Sequence, residues 1–199
     1  MFYSSFIKPF IDKLIAISTI GCTAPLFLLI SIVNYALYKN VFFIQERTGL
    51  HMKPFQLIKF QTMRTIQDEH GVPLADMKRV TGFGKLLRIT SIDELPQLFL
   101  VLTGKMSLVG PRPLPVSYDC YYTEEQRLRF EAKPGITGLA QVNGRNATSW
   151  ESRFQFDSMY IKNRSFRLDM LILAKTFFQL MKFNEVNASD SITMKPFKN

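Results

Sequence analysis

Two adjacent carboxylates, Asp93 and Glu94, lie in the segment TSIDELPQLF at residues 90–99. Pro96 follows two residues later, and proline is favoured in the first turn of a helix, where its missing N–H costs nothing. The dipole of such a helix favours negative charge at its N-terminus. Because neighbouring residues do not share a helix face, we expect the two carboxylates to point in different directions. One could attack a phosphorus atom while the other holds a metal ion.

A purely structural role is the alternative for this acid pair. The four residues Ser91 to Glu94 match the S-x-x-E pattern of a capping box. In a capping box the serine and the acid each bond to the other's backbone N–H, which stabilises the start of a helix. Both interpretations are consistent with these four residues taken alone.

Three arginines favour the chemical interpretation. Arg88 lies just before the acid pair, Arg112 lies between two prolines in GPRP, and Arg145 lies in VNGRN. A guanidinium matches a phosphate with two parallel hydrogen bonds. Magnesium uses one or two carboxylates together with water and substrate phosphates, and Glu94 suits that role. The combination predicts a site for a diphosphate and Mg²⁺, although each arginine alone could be a surface charge or an ion pair.

Composition limits the classes of protein that fit. The 199 residues suggest one domain, and the 25 Lys and Arg against 16 Asp and Glu give a net charge of +9. This surplus favours anionic partners such as phosphates or acidic lipid. The scattered basic residues show no pattern of stacking aromatics, so we expect no nucleic acid partner. Two cysteines and two histidines are too dispersed for a zinc site, and a disulfide is not expected.

An uncharged apolar segment runs from Leu14 to Leu37, which is longer than the roughly 20 residues that a membrane-spanning helix needs. Pro25 lies near its middle, and an internal proline kinks a helix. Cationic residues flank both ends, with Lys8 on one side and Lys39 on the other. A helix that bends at Pro25 and returns to the same membrane face would have such flanks. An ordinary kinked transmembrane helix is the alternative.

The remaining segments predict a compact α+β domain that is rich in helices. The predicted elements are a hairpin over 41–60, a loop over 65–79, a helix or basic turn from Gly82, a helix over 96–102, a capped helix start at Thr123–Gln126 and an amphipathic helix over 168–183. The polar residues of the last helix share one side. That helix could pack on the core or lie in a membrane interface.

Four motifs of the sequence resemble those of a known protein family. KFQTM (59–63), TSIDELPQLF (90–99), MSLVGPRP (106–113) and KPGITGLAQVNGRN (133–146) are similar to motifs of the bacterial sugar transferases, the small monotopic phosphoglycosyl transferases. The resemblance extends over roughly residues 5–185. It implies a re-entrant membrane helix over 1–40, broken at Ala24-Pro25, and a cytoplasmic catalytic domain over 41–199 with an amphipathic C-terminal helix. It places the protein on the cytoplasmic face of the bacterial inner membrane.

The resemblance also implies a reaction. The family moves a sugar 1-phosphate from a UDP-sugar to polyprenol (undecaprenyl) phosphate and releases UMP. Asp93 would be the nucleophile that forms a covalent aspartyl-phosphosugar, and Glu94 would be the ligand of Mg²⁺. Arg112 would neutralise phosphate charge, and the Arg145 loop would meet the uridine or the phosphates. The residues implied to bind substrate are Lys59, Arg88, Arg112, Gln141 and Arg145.

Among the family, the sequence is most similar to transferases that begin protein N-glycosylation with phospho-N,N′-diacetylbacillosamine. The implied partners are therefore UDP-N,N′-diacetylbacillosamine as candidate donor, the polyprenol phosphate, membrane lipid and downstream glycosyltransferases. The sequence departs from the family pattern at four positions, namely Ala24, Gln61, Leu100 and Lys105. Two hypotheses from other classes are a membrane-anchored module that binds anionic lipid or a glycan-assembly partner without turnover, and a hydrolase of nucleotide diphosphates.

Overall fold

The computed structural model describes residues 2–69, 71–72, 74–144, 149–181 and 197. In this part of the chain the helices are α1 (Lys8–Tyr38), α2 (Asp76–Arg79), α3 (Gly82–Ile89), α4 (Gln97–Leu102), α5 (Glu124–Arg127), α6 (Leu139–Val142), α7 (Trp150–Asn163) and α8 (Phe166–Met181). The strands are β1 (Phe42–Thr48), β2 (Pro54–Phe60), β3 (Ser107–Val109) and β4 (Gly135–Thr137). Short 3₁₀ turns lie at Leu50–Met52, Ile92–Glu94, Val116–Tyr121 and Leu128–Glu131, and a π-helical turn lies at Tyr3–Ile7. The predicted helix-rich α+β class is confirmed.

Strands β1 and β2 form the predicted hairpin. They pair antiparallel, with a register that runs from Phe42 opposite Phe60 to Thr48 opposite Pro54. The turn between them begins at Gly49, as predicted, and continues through the 3₁₀ turn Leu50–Met52. Alternate residues of a strand face the same side of a sheet. The hairpin therefore holds Lys59 at a fixed position one residue from the end of β2.

Strands β3 and β4 form a second, parallel pair, with Ser107 opposite Gly135 and Val109 opposite Thr137. The backbones approach so closely beyond β3 that a Cβ on Gly110 would clash with the carbonyl of Lys133 and the amide of Gly135. Glycine at position 110 therefore permits the contact. The Gly110 amide donates to the Thr137 carbonyl at 2.9 Å, which fixes the start of the GPRP loop that carries Arg112.

Helix α1 contains Pro25 and continues from Lys8 to Tyr38. Together with the preceding turn it is long and apolar enough to cross a membrane, by length and composition. Large apolar side chains along it are exposed, among them Leu14, Ile17 and Leu28. A membrane helix at the N-terminus is thus consistent with the structure, whereas a hairpin of two separate helices stays a prediction.

The first part of α1 docks on the domain through charged side chains. Lys8 Nζ lies 2.7 Å from Asp169 Oδ2 and 3.7 Å from Asp12 Oδ2. Ser107 Oγ donates to Asp12 Oδ2 at 2.5 Å, and Tyr160 Oη donates to Asp169 Oδ1 at 2.9 Å. We call these five residues the root cluster. All five are buried, so the cluster fastens α1 to β3, α7 and α8.

The last part of α1 docks on the same domain. Ile30 is buried together with Phe60 and Leu87. The side-chain amide of Asn34 donates to the carbonyls of Val41 and Gln61, both at 3.0 Å. The helix therefore contacts one folded body near its beginning and near its end.

Helix α8 has an unusual distribution of side chains. Its polar side faces the domain, where Asp169 is 2% exposed and Gln179 donates to the Val142 carbonyl at 2.9 Å. Leu171, Phe177, Phe178 and Met181 are exposed. Ile172 is fully buried and Leu168 and Leu173 pack against the same core, so the core-packing alternative is confirmed. The outward-facing apolar side chains are also typical of a membrane interface, and contact with lipid stays a prediction. Positions 182–183 of the predicted helix lie outside the described residues.

Three further local predictions are confirmed and one is wrong. Helix α3 begins at Gly82, α4 follows Pro96 as its N-cap, and the Thr123–Gln126 capping box is present in both directions. The segment 65–79, predicted as a loop, contains α2 at its end. Its single turn is too short to give a clear hydrophobic period, which is why the sequence pattern missed it.

Candidate active site

The two carboxylates lie in a tight turn between α3 and α4. The turn is the 3₁₀ segment Ile92–Glu94, entered through Ser91 with a φ of 55°. Ser91 makes no side-chain cap hydrogen bond, so the capping-box alternative for this segment is wrong. The left-handed backbone at Ser91 turns its side chain away from the amides that a cap would bond.

Both carboxylates face the same lysine. Lys59 Nζ lies 2.5 Å from Glu94 Oε1 and 3.8 Å from Asp93 Oδ2. The prediction that they point in different directions is therefore wrong, because a 3₁₀ turn rather than an α-helix carries them. The side chains are 10% exposed for Asp93 and 14% for Glu94.

Arg112 completes this arrangement from the GPRP loop. Its Nη2 lies 3.1 Å from the same Oε1 of Glu94, while 45% of its side chain remains exposed. We call Lys59, Asp93, Glu94 and Arg112 the dyad cluster. The structure thus brings together four of the residues that the sequence predicted, from β2, the 3₁₀ turn and the loop after β3.

The two acids have opposite electrostatic environments. Burial acts to raise the pKa of Glu94, but Arg112 and Lys59 outweigh it and lower that pKa to about 2. Burial raises the pKa of Asp93, and the neighbouring Glu94 charge adds to this effect against Lys59. A carboxylate with a raised pKa is a stronger base and nucleophile, whereas one with a lowered pKa stays ionised. The environment therefore suits Asp93 to attack and Glu94 to hold a cation.

Arg88 lies at the edge of the site. Its Nε donates to Thr62 Oγ1 at 2.9 Å, and its charge lowers the pKa of Asp93, although burial of Asp93 has the larger, opposite effect. The first turn of α3 packs directly on the Thr62 backbone, which only a glycine at position 84 permits, because a Cβ there would clash with it.

The structure shows no contact between Gln141 and the dyad cluster. Gln141 lies in α6, where its Nε2 is 3.5 Å from the Ile136 carbonyl, and its buried Oε1 has no hydrogen-bond partner in the described part of the chain. Such an acceptor needs a donor, so its substrate-binding role stays a prediction. Arg145 lies outside the described residues.

Sequence reasoning missed the residues that support the Arg112 loop. Arg129, 4% exposed, donates from Nη2 to the Arg112 carbonyl at 2.6 Å and lies 3.0 Å from Asp157 Oδ2. The rings of Tyr122 and Phe154 lie within 5.8 Å of its guanidinium. Burial raises the pKa of Asp157 to about 6, although Arg129 opposes this. No spacing in the sequence links Arg129 to Asp157, because their contact forms only when α7 packs on the 3₁₀ turn Leu128–Glu131.

Sequence reasoning also missed Arg47. A cavity of about 60 Å³ adjoins the dyad, and Arg47 lines it with Lys59, Glu94, Gln97 and Arg112. In β1, Gln45 and Arg47 are partly covered while Glu46 is exposed. A basic residue on the covered side of a hairpin strand is the signal that could have found it.

The donor set fits a magnesium ion held jointly with a substrate. Lys59 and Arg112 both donate to Oε1 of Glu94, which leaves Oε2 without a hydrogen bond from the described residues. Among the described residues there is no group of three or more acidic, His or Cys side chains that could hold a metal alone. Magnesium commonly uses one or two carboxylates and completes its shell with water and phosphate oxygens.

Comparisons with known proteins identify the family of this chain. The family model described as bacterial sugar transferase matches residues 3–183. The uncharacterized sugar transferase EpsL of Bacillus subtilis is 46% identical over 96% of this chain and 95% of its own length. The UDP-glucose:undecaprenyl-phosphate glucose-1-phosphate transferase of Xanthomonas campestris is 39% identical over 85% of this chain, which spans only 38% of that protein.

A further relative has a length closer to that of this chain. The exopolysaccharide production protein ExoY of Sinorhizobium fredii is 36% identical over 83% of this chain and 81% of its own length. The family model covers far more than half of the sequence, including the turn with Asp93 and Glu94 and the loop with Arg112. The chain belongs to the bacterial sugar transferase family.

Proposed function

We propose that this protein transfers a sugar 1-phosphate from a UDP-sugar to polyprenol phosphate and releases UMP, as the first membrane step of glycoconjugate assembly. The observation that carries the proposal is the dyad cluster: a buried Asp93 beside Glu94, with Lys59 and Arg112 both within 3.1 Å of the Glu94 carboxylate. A nucleophile next to fixed cations is what phosphoryl transfer requires, because charge accumulates on the transferred group.

In the proposed reaction, an Asp93 carboxylate oxygen attacks the β-phosphorus of the UDP-sugar. The bond from that phosphorus to the oxygen bridging the two phosphates breaks, and UMP leaves with the electron pair. An oxygen of polyprenol phosphate then attacks the phosphorus of the aspartyl-phosphosugar and frees Asp93. Magnesium, when bound, would neutralise phosphate charge. Glu94 would hold it, while Lys59, Arg88 and Arg112 would orient the phosphates.

We propose that α1 is re-entrant and that the protein is monotopic. A straight helix from Asp12 to Asn34 would be about 33 Å long at 1.5 Å per residue, about the thickness of a bilayer core. Both residues contact the same domain, through Ser107 and through the Val41 and Gln61 carbonyls. A helix fastened at both ends to one body cannot place those ends on opposite membrane faces. The outward-facing Phe177 and Phe178 of α8 would lie in the same interface.

The cytoplasmic face follows from the substrate, since UDP-sugars are cytoplasmic. Gln141 and the Arg145 loop are proposed to meet the uridine or its phosphates. The relatives named for UDP-glucose make that nucleotide a candidate donor, beside UDP-N,N′-diacetylbacillosamine. Downstream glycosyltransferases that extend the lipid-linked sugar are candidate partners.

Turnover with a panel of donors tests the proposal. The purified protein in lipid nanodiscs is incubated with UDP-glucose, UDP-galactose or UDP-N,N′-diacetylbacillosamine, together with Mg²⁺ and polyprenol phosphate. We expect sustained release of UMP, beyond one equivalent per enzyme, that requires the lipid acceptor, and no release in Asp93→Asn. Release beyond one equivalent without the acceptor would favour a hydrolase, and silence across the panel together with no phosphosugar on Asp93 would favour the binding module.

The metal role of Glu94 has its own test. Because Glu94→Gln removes the negative charge but keeps the shape, we expect the Mg²⁺ concentration for half-maximal turnover to rise at least about tenfold. An unchanged Mg²⁺ response in this variant would reject Glu94 as the ligand. Glu125→Gln, at an exposed position of α5, is the control for loss of a carboxylate.

A further inference from the structure

We propose that Arg47 binds a phosphate group of the substrate, in the cavity that it shares with Glu94, Lys59 and Arg112. This inference rests on the proposed function for the identity of the substrates. The phosphate belongs either to the nucleotide diphosphate or to the lipid phosphate, which present the same chemistry to a guanidinium. Three separate observations support the assignment. They are the position of Arg47 beside the Arg112 loop, the lack of a carboxylate partner for its guanidinium, and the positive charge around the cavity.

The backbone holds Arg47 next to the loop that carries Arg112. Arg47 is the sixth residue of β1, opposite Phe55, and forms an isolated antiparallel bridge with Pro115. The following amide, of Thr48, donates to the Leu114 carbonyl at 3.0 Å. The end of β1 is therefore fastened to the chain just beyond the GPRP loop. Arg47 and Arg112 line one cavity from two segments whose separation is fixed.

The guanidinium of Arg47 has few partners in the protein. Its Nη2 donates to Gln45 Oε1 at 2.6 Å. Its Nε is buried and has no hydrogen-bond partner within the described ranges, and no carboxylate there forms an ion pair with it. A buried donor without an acceptor is costly, and native proteins usually satisfy such groups with protein, water or ligand. Arg47 therefore retains hydrogen-bonding capacity for an acceptor that enters the cavity.

The side chains around the cavity carry a surplus of positive charge. Arg47, Lys59 and Arg112 line it together with the carboxylate of Glu94, and the Asp93 carboxylate lies 3.8 Å from Lys59, so three cations face two carboxylates with a net charge of +1. Burial and the nearby Arg112 charge lower the pKa of Arg47 to about 10, so Arg47 remains charged at neutral pH. Two guanidiniums held near each other repel unless an anion lies between them. A negatively charged phosphate would offset this surplus.

Arg129, which is buried in the same region, also has an Nε without a hydrogen-bond partner among the described residues, but its charge is paired. Arg129 forms an ion pair with Asp157 and bonds to the Arg112 carbonyl, so its charge is neutralised within the protein. Arg47 has no such carboxylate among the described residues, although both side chains approach the same loop. The cavity of about 60 Å³ exceeds the roughly 10–15 Å³ that one water needs, so a larger polar group can enter it.

Steady-state kinetics of two Arg47 variants test the assignment. Arg47→Gln removes the charge, and Arg47→Lys keeps the charge but loses the planar fork. In nanodiscs, each substrate is varied at a saturating level of the other. We expect the KM for one substrate to rise at least about tenfold in Arg47→Gln and by a smaller factor in Arg47→Lys, with kcat changed less. Arg127→Gln, which removes an exposed guanidinium paired with Glu124, is the matched control and should leave both KM values unchanged.

The identity of the affected substrate assigns the phosphate. A rise confined to the UDP-sugar assigns the donor diphosphate, and a rise confined to polyprenol phosphate assigns the acceptor. KM values within about twofold of wild type for both substrates, in both variants, would overturn the proposal. A thermal melt checks the fold. A residue that binds ligand rather than the protein should leave the melting temperature of the ligand-free protein unchanged or raised when it is replaced.

A binding measurement separates failure of this inference from failure of the proposed function. Inorganic pyrophosphate alone is added and the rise in melting temperature is recorded, which needs no turnover. We expect a rise for wild type and for Arg127→Gln, and a much smaller rise for Arg47→Gln. An equal rise in all three proteins, or no rise in wild type, together with an unchanged KM for polyprenol phosphate in Arg47→Gln, would contradict phosphate binding by Arg47. Turnover by wild type with unchanged Arg47 variants would leave the transferase assignment intact and remove only this inference.

Discussion

The root cluster and the dyad cluster use the same kinds of side chain but differ in how fully the protein satisfies them. In the root cluster, Asp169 accepts from Lys8 through one oxygen and from Tyr160 through the other. In the dyad cluster, the contacts to Glu94 converge on one oxygen and Arg112 is 45% exposed. A closed network rigidifies a fold, whereas an incomplete one can bind a ligand.

The charges of the two clusters support the same conclusion, that the root cluster is structural and the dyad cluster can bind a ligand. The root cluster has two carboxylates, Asp12 and Asp169, for one ammonium, and hydroxyl groups supply the remaining donors. The dyad cluster together with Arg47 has three cations for two carboxylates, Asp93 and Glu94. The first arrangement is complete without an added group, while the second lacks an anion. The comparison therefore predicts that changes in the root cluster lower stability and that changes in the dyad cluster lower turnover.

The largest effect is expected for Asp93→Asn. The amide has nearly the shape of the carboxylate but cannot attack phosphorus, so we expect turnover to fall at least about 10⁴-fold, or roughly 5 kcal/mol of barrier. Because burial disfavours the charged form of Asp93, the melting temperature of the Asp93→Asn variant should be unchanged or higher than that of wild type. Turnover and a thermal melt are measured on the same preparation. A variant that retains turnover would exclude Asp93 as nucleophile.

The second effect is expected for Asp169→Asn in the root cluster. This change leaves the buried Lys8 with only the more distant Asp12, at 3.7 Å. Loss of one partner of a buried ion pair costs about 3–5 kcal/mol, so we expect a large fall in melting temperature. Turnover per folded molecule should stay within about threefold of wild type. Normal stability with lost turnover would reverse the contrast between the two clusters, and Glu125→Gln controls for a carboxylate lost at the surface.

Much of the fold and of the candidate site could be predicted from local patterns. The hairpin, the Thr123 capping box and the helix after Pro96 follow from residue preferences over a few positions, and the structure confirms them. The motifs around Lys59, Glu94 and Arg112 predicted a shared site, and the structure brings these three side chains into contact, while their roles stay predictions. The turn at Ser91 was not predictable, because tertiary packing rather than a cap selects its left-handed backbone.

The residues that were missed have long-range partners. Arg129 bonds to Asp157 and to the Arg112 carbonyl, and no periodicity connects these positions. Arg47 acquires its environment only when the end of β1 pairs with Pro115. The orientation of α8 also depends on tertiary contacts, since its helical pattern gives two faces but does not say which one meets the protein.

A third, smaller effect concerns pH. The pKa of Asp157 is raised to about 6 by burial, against the opposing charge of Arg129. Between about pH 4 and pH 6 the native state therefore retains a proton that the unfolded state has released, so this group's contribution to the free energy of unfolding falls as pH rises. The loss is about 2–3 kcal/mol over that window. The Asp157→Asn variant lacks this pH-dependent contribution to the free energy of unfolding.

Melting temperatures of wild type and Asp157→Asn from pH 4 to pH 7 test this effect. We expect the variant to gain stability relative to wild type as pH rises to about 6, with no further relative change above that pH. Parallel profiles would mean that Asp157 titrates at its ordinary pKa, and that the Arg129 pair is more favourable than its burial suggests.

The smallest effect is expected for Arg129→Lys, which tests the support of Arg112. One ammonium cannot contact both Asp157 and the Arg112 carbonyl in the geometry of the planar fork. Retaining the Asp157 pair keeps the fold, but the Arg112 loop loses its 2.6 Å hydrogen bond. Because small displacements of a charge-stabilising group slow a reaction, we expect kcat/KM to fall about tenfold, or roughly 1.4 kcal/mol.

A split between stability and turnover shows whether Arg129 acts through Arg112. Arg127→Lys, at an exposed pair with Glu124, should change neither quantity. If Arg129 only fills the interior, Arg129→Lys lowers the melting temperature and leaves kcat/KM per folded molecule unchanged. If it positions Arg112, the fall in kcat/KM persists in fully folded protein and is absent when Arg112 is already replaced by Gln. The double variant therefore decides whether the Arg129–Asp157 ion pair contributes to turnover by positioning Arg112 in the dyad cluster.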